Sequence, residues 1–284
     1  MIRRDIVARD GSKQWLLISQ VEHARLSGIL AELALSQFGT LAGCAEQPLE
    51  GVRQELLAAI VHHDDGWADW ESRLPLDDEH RRPPSFLELP WPDSLAIWSD
   101  SIRAAQSIGN LAAWVVAGHF IALLKASDDH RDTPEGKAWL SDTLECCHGW
   151  FAAWQAEDKL LHTQPLADEA LLWLQLYDVL SLWLCMSCPG GGEHVISWPE
   201  QYICCKDKPL QTVIGPSVGT TDPNYPANTD RCRASINPWR FEVTEIALDA
   251  EGKILPAKEY QSSVEVFNAW APHHMRWLLI PTSA

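Results

Sequence analysis

The chain is short of positive charge: 22 lysines and arginines against 39 aspartates and glutamates leave a formal net charge of -17. Binding a long polyanion such as duplex DNA depends on releasing counterions against a basic surface, so this composition argues against a nucleic-acid polymer as partner. A small anionic substrate stays compatible, because a bound metal reverses the sign of charge locally. The N-terminal segment from Met1 to Gln20 lacks the uninterrupted apolar run and small-residue cleavage site of an export signal, and a cytoplasmic location is expected. Internal repeats and low-complexity tracts are missing too. A second Cys-x-x-Cys is missing, so Cys185-x-x-Cys188 has only the adjacent pair Cys204-Cys205 to complete a zinc site. Adjacent cysteines are poor zinc-ligand spacing, and the eight cysteines are expected to be reduced and buried.

What is present is a large apolar content, 46% of 284 residues, enough for a sizeable core. Two apolar stretches, Leu111 to Leu124 and Leu171 to Met186, raise a membrane reading. The first is short and each carries an ionisable residue at its centre, so buried core helices are expected and no membrane partner.

Asp10-Gly11 between two short apolar runs signals an N-terminal hairpin. Ser19 and Glu22 form a capping box that opens a helix, and a second helix is predicted from about Leu49 to His63. In that helix Leu49, Val52, Leu56, Ile60 and His63 recur every three or four residues. His63 therefore extends the buried stripe while His62 points elsewhere. Asp69 to Trp98 reads as a long ordered loop. Further helices are expected at about Leu95 to Ser107, Asn110 to Ala126, Glu135 to Ala156 and Asp168 to Met186. Pro189-Gly190-Gly191-Gly192 then breaks the pattern, and short apolar runs at Phe241 to Leu248, Val264 to Phe267 and Met275 to Ile280 suggest a small β-rich module. The expected architecture is mainly α, a helical bundle with a small C-terminal β module joined by the N-terminal hairpin. Its segments are a hairpin at 1–18, a helical domain at 19–188 and a β-rich module at 189–284.

Asp178 is the only formally charged side chain between Ala170 and Cys188. A lone carboxylate in such a helix costs several kcal/mol, on the order of a full desolvation penalty, unless a cation or hydrogen-bond donors meet it. Candidate partners are His23, His63-Asp64 and His119, each set in apolar helical sequence. Taken singly, His63 and His119 read as satisfied core histidines, and Asp64 and Asp65 as turn chemistry at a helix end. Taken together they form a donor set for a divalent transition metal, because separate helices can turn imidazole and carboxylate inward onto one ion.

His63-Asp64-Asp65-Gly66 resembles the motif of the HD superfamily of metal-dependent phosphohydrolases and related oxygenases, over about residues 19 to 187. The resemblance implies an HD-like helical domain with metal ligands at His23, His63, Asp64 and Asp178. With two ions, His119 and His148 are the further ligands. It implies one or two ions of iron, manganese or zinc, and hydrolysis of a small phosphorylated molecule by a metal-activated water, with Asp64 and Asp65 as catalytic carboxylates. A di-iron oxygenase on the same scaffold and a non-catalytic sensor are the alternatives. The run from His63 to Trp67, followed by Asp69-Trp70-Glu71, is also similar to an uncharacterised bacterial family, which implies no activity. Arg81 and Arg82 are candidates for gripping an anionic group, against a solvated loop pair. Of fifteen tryptophans, Trp67 and Trp70 adjoin the motif and could line a pocket, although most are expected in the core.

Overall fold

The computed structural model describes residues 1–8, 10–187, 194–197, 211–215, 229–237 and 239–281. The chain condenses into two interleaved compact units rather than three consecutive segments. One comprises residues 1–26, 69–88 and 180–284, and the other residues 27–68 and 89–179.

The first unit is built on a sheet. Its described strands are β1 (Ile2–Val7), β2 (Lys13–Ile18), β3 (His194–Ser197), β4 (Gln211–Gly215), β5 (Thr229–Asn237), β6 (Ile246–Pro256) and β7 (Ala271–Pro281). They run in the order β1-β2-β6-β7-β5-β4-β3. Only β5 and β7 are parallel among these pairs; the others are antiparallel. In β6 the side chains of Ile246, Leu248 and Ala250 are buried while those between are exposed, the period of two that a one-sided strand requires. Leu248 pairs with Trp277 and Ala250 with Met275, so the buried faces of β6 and β7 coincide.

This sheet overturns the expected mainly α architecture. The protein is mixed α/β, and the strands are not a small C-terminal module: β2 pairs with β6, so the N-terminal hairpin is an integral edge of a sheet made from both ends of the chain. The apolar run at Val264–Phe267 is also not a strand. It lies in a helix, α8 (Ser263–Ala269), because the Ser262 side chain accepts from the Glu265 amide and starts a helical turn. Residues 188–193, including Pro189-Gly190-Gly191-Gly192, and Cys204-Cys205 lie outside the described residues. Cys232 is disulfide-bonded, which corrects the expectation of eight reduced cysteines. Cys185 is a buried free thiol, pushed up to about 12 by desolvation.

Helices make the second unit. They are the later half of α1 (Gln20–Glu32), α2 (Glu50–Val61), α4 (Trp91–Gln106), α5 (Asn110–Ala126), α6 (Pro134–Glu157) and most of α7 (Gln164–Ser187). A short α3 (Trp67–Arg73) and the early start of α4 replace part of the expected long loop. Proline in the first turn of α4 explains that start, since its fixed φ suits a helix opening. The centre of this unit is α5, buried from Leu111 to Leu124 on most sides. Gly118 lets α7 approach it: a Cβ there would stand 3.0 Å from the Leu171 side chain. The apolar span Gln164–Met186 is long enough to cross a membrane, but 72% of its apolar window is buried within the protein, as in a core helix.

The start of α1 is fixed inside the first unit. Ser19 Oγ accepts from the Val21 amide, and the Glu71 carboxylate accepts from the Gln20 amide and the Ser19 hydroxyl. Glu22, the expected capping-box partner, instead pairs with Arg25 and accepts from the Glu251 amide. Glu71→Ala is expected to lower stability by about 1 to 2 kcal/mol, because the two donors at the helix N-terminus and the Met1 ammonium, 3.0 Å away, lose a charged acceptor. A lower urea midpoint with an unchanged slope would register it.

Candidate metal centre

The apolar stripe of α2, Val52, Leu56, Ala59 and Ile60, carries past the helix end to His63, which is completely buried. His62 is half exposed, as the spacing predicted. His63 Nδ1 lies 2.8 Å from the Ile60 carbonyl oxygen. A carbonyl only accepts, so the ring carries a proton on Nδ1, and in the neutral ring Nε2 presents a lone pair. That nitrogen is 3.1 Å from Asp178 Oδ1 and 3.7 Å from Asp64 Oδ2. Asp178 and Asp64 are both buried.

Three electron-pair donors therefore face one another in an apolar interior. Such a meeting is repulsive unless a cation joins it, either a proton on Nε2 or a metal ion. His119, buried on α5, adds a fourth group: its Nε2 is 3.9 Å from Asp178 Oδ2 and its ring stands edge-on to that of His63, with centroids 5.7 Å apart.

The turn that presents His63 and Asp64 is pinned by Gly66. Its amide donates to Ser101 Oγ on α4 at 3.0 Å, and a Cβ at this position would fall 2.2 Å from the Ile97 carbonyl oxygen. Glycine here is a consequence of backbone pressed on backbone. Ser101, wholly buried, was not legible as a site residue, since a serine in an amphipathic helix carries no distinguishing signal.

His23 lies on the early part of α1, in the sheet-containing unit. It is buried, and its Nδ1 is 2.7 Å from Ser181 Oγ on α7. A serine within the apolar α7 carries no signal in the sequence that would mark it as a partner of His23.

The remaining predicted residues have other placements. Asp65 is partly exposed and pairs with His62 at 2.9 Å. His148 is exposed on α6 and does not join the buried group. Trp67 and Trp70 are buried at either end of the first turn of α3, as core residues. Arg81 and Arg82 brace their own loop: Arg81 Nη2 donates to the Gln261 carbonyl, and Arg82 Nη2 donates to Glu88 at 3.0 Å. Arg81 has φ +51°, a left-handed conformation, and its carbonyl accepts from the Tyr260 amide. The loop is thereby tied to the segment before α8 within the first unit, which is work enough for both side chains. A cavity of about 330 Å³ in that unit is lined in part by Leu17, Glu22, Glu71, Leu74, Lys253 and Trp270, and neither arginine reaches it.

Fold and site together define a mixed α/β protein with a buried cluster of histidine and aspartate suited to a metal ion. The family description "Protein of unknown function (DUF3891)" matches residues 6–257, and the chain belongs to that family. No curated protein and no solved structure matches it.

Proposed function

We propose that the chain is a metal-dependent hydrolase of the His-Asp type acting on a small phosphorylated molecule, an ester or a nucleotide. His63, Asp64 and Asp178 are its metal ligands. The observation that carries this reading is the 3.1 Å approach of His63 Nε2 to Asp178 Oδ1 with the ring proton committed to Ile60. Two ligands each about 2.1 Å from one ion stand about 3.0 Å apart at a right angle and about 3.4 Å apart at the tetrahedral angle. The separations of 3.1 and 3.7 Å support a shared ion on that scale. The mixed nitrogen and oxygen donors favour iron, manganese or zinc over calcium or magnesium. The His-Asp type rests on the order His23, His63-Asp64, Asp178 along the chain, and the phosphorylated substrate on that resemblance.

A bound divalent ion supplies an acidified water and offsets charge on a phosphoryl oxygen. The chain's own residues do the rest. Ile60 holds His63 in one tautomer, and Gly66 with Ser101 fixes the turn that sets Asp64 beside it. Apolar α5 and α7 keep bulk water from the ligands. Asp65, partly exposed and adjacent to Asp64 in sequence, would accept the proton of such a water. His119, beside the second oxygen of Asp178, is where another ion would be held. The exposure of His148 weighs against the di-iron oxygenase, whose ligand set it would have to complete.

The test begins with protein purified without added metal and assayed for bound ions by plasma mass spectrometry. One or two equivalents are expected. Phosphate release from p-nitrophenyl phosphate and a panel of nucleotides follows, with manganese, iron or zinc supplied. His63→Ala should lower the rate by more than about 100-fold, since even partners outside the ligand shell cost up to that much. Folded protein that takes up no ion, or takes it up and releases no phosphate from any substrate, would sink the proposal. Oxygen consumption by the iron-loaded form would move the reading to the oxygenase.

A further inference from the structure

The cavity of the first unit brings unspent charge against an apolar wall. Its volume of about 330 Å³ is the room of about eleven waters and falls within the range of small-molecule pockets. All of its lining residues belong to this unit. Leu17, Ile18 and Leu74, each buried, give it an apolar side. Two of its three carboxylates are already engaged. Glu22 accepts from Nε and Nη2 of Arg25 and from the Glu251 amide. Glu71 accepts from the Ser19 hydroxyl and the Gln20 amide, and stands 3.0 Å from the Met1 ammonium. The third carboxylate, that of Glu251, accepts no hydrogen bond and forms no ion pair among the described residues. Lys253 follows two residues later on the same face of β6, opposite Leu17 of β2. Its ammonium lies 5.6 Å from the centre of the Trp270 ring and meets no carboxylate among the described residues. By contrast Arg3, Arg25, Arg82 and Lys258 each pair with a glutamate. What is left over on the wall is one anion and one cation, about 6.6 Å apart along the strand, beside an indole and an apolar surface.

We propose that this cavity binds a single free α-amino acid with an apolar side chain. The ligand's carboxylate meets Lys253, its ammonium meets Glu251, and its side chain lies against Leu17, Leu74 and Trp270. A zwitterion answers both leftover charges at once. A simple anion or amine answers one and leaves the other to lose water without a partner. The volume suits one amino acid and not a peptide. The inference goes beyond the hydrolase reading and needs no metal ion.

Isothermal titration of the full-length protein with L-phenylalanine and L-leucine reads the binding directly. Hydrocinnamate, which lacks the ammonium, phenylethylamine, which lacks the carboxylate, and the dipeptide glycylphenylalanine are the comparison compounds. One equivalent of amino acid is expected to bind, and each comparison compound at least about 10-fold more weakly, since it lacks a charge or outgrows the cavity. Lys253→Met should weaken the amino acid by about 10- to 100-fold and leave phenylethylamine where it was. Glu251→Gln should weaken the amino acid comparably and leave hydrocinnamate where it was. A merely structural role for either residue would shift every ligand together. That result, a comparison compound bound as tightly as the amino acid, or no saturable binding of either amino acid at millimolar concentration overturns the inference, and each leaves the metal centre standing. Glu251 is exposed, so Glu251→Gln carries the test should Lys253→Met fail to fold.

Discussion

Asp178→Asn is expected to strip the protein of bound metal while leaving the metal-free fold at least as stable as wild type. The two halves of this result have a common cause. In the metal-free state His63 Nε2 and Asp178 Oδ1 face each other as acceptors at 3.1 Å, within an apolar helix interior, and one of them must take up a proton or the pair repels. Asparagine has nearly the shape of aspartate but offers an N–H to the waiting lone pair, so the substitution replaces a strained pair by an ordinary hydrogen bond. Metal loading, by contrast, loses an anionic ligand. Wild-type protein held at about a hundred times its metal dissociation constant gains about 2.7 kcal/mol. For a chain of this size that corresponds to a rise of roughly 5 to 10 °C in melting temperature, which the variant should not show. Melting curves with excess chelator and with excess manganese decide the matter. If His63 and Asp178 were only a permanent ion pair, the opposite sign would appear. Asn would leave an imidazolium buried without its partner, at a cost of about 3 to 5 kcal/mol, and the chelated variant would melt well below chelated wild type.

The features of the sequence that pointed to this site were violations of local pattern. His63 was legible because it falls on the buried stripe of α2 where an apolar residue would suit the helix better, and Asp178 because nothing else in its segment is charged. Burial and proximity of these two followed from the rule that polar groups in such places must meet. The helices themselves, α5 above all, followed from periodicity and breakers to within a few residues. The sheet did not. Strand β2 finds its partner in β6, more than 230 residues away in sequence, and no local feature of either strand names the other. The parallel neighbours β5 and β7 are likewise joined only by tertiary packing. The run Val264–Phe267 has strand composition, and only the Ser262-x-x-Glu265 cap marks it as a helix. Arg81 and Arg82 are a different case. Cations in a long loop suggest a ligand, whereas carbonyls and carboxylates of the same unit already occupy them.

Gly66→Ala should be the most damaging single-methyl change in the helical unit, and Gly149→Ala a gain. Within a helix, replacing glycine by alanine ordinarily stabilises by about 0.5 to 1 kcal/mol through the entropy of the unfolded chain. At Gly149, within α6, a new Cβ meets nothing within 4 Å, so that gain should be realised in full. At Gly66 the Cβ would be 2.2 Å from the Ile97 carbonyl oxygen and 2.5 Å from the Ser101 amide nitrogen. These are backbone atoms in the middle of α4 and no rotamer change removes them, so the turn must move off the helix. The hydrogen bond from the Gly66 amide to Ser101 Oγ is lost with it. A cost of about 3 to 4 kcal/mol is expected from the overlap and the broken contact together. The displaced turn also carries His63 and Asp64, so metal affinity should fall in the fraction that still folds. Urea unfolding of the two variants beside wild type would show midpoints displaced in opposite directions. A Gly66→Ala protein with wild-type stability and metal affinity would mean that the turn does not depend on its contact with α4, and that the glycine of the motif serves some purpose other than close packing.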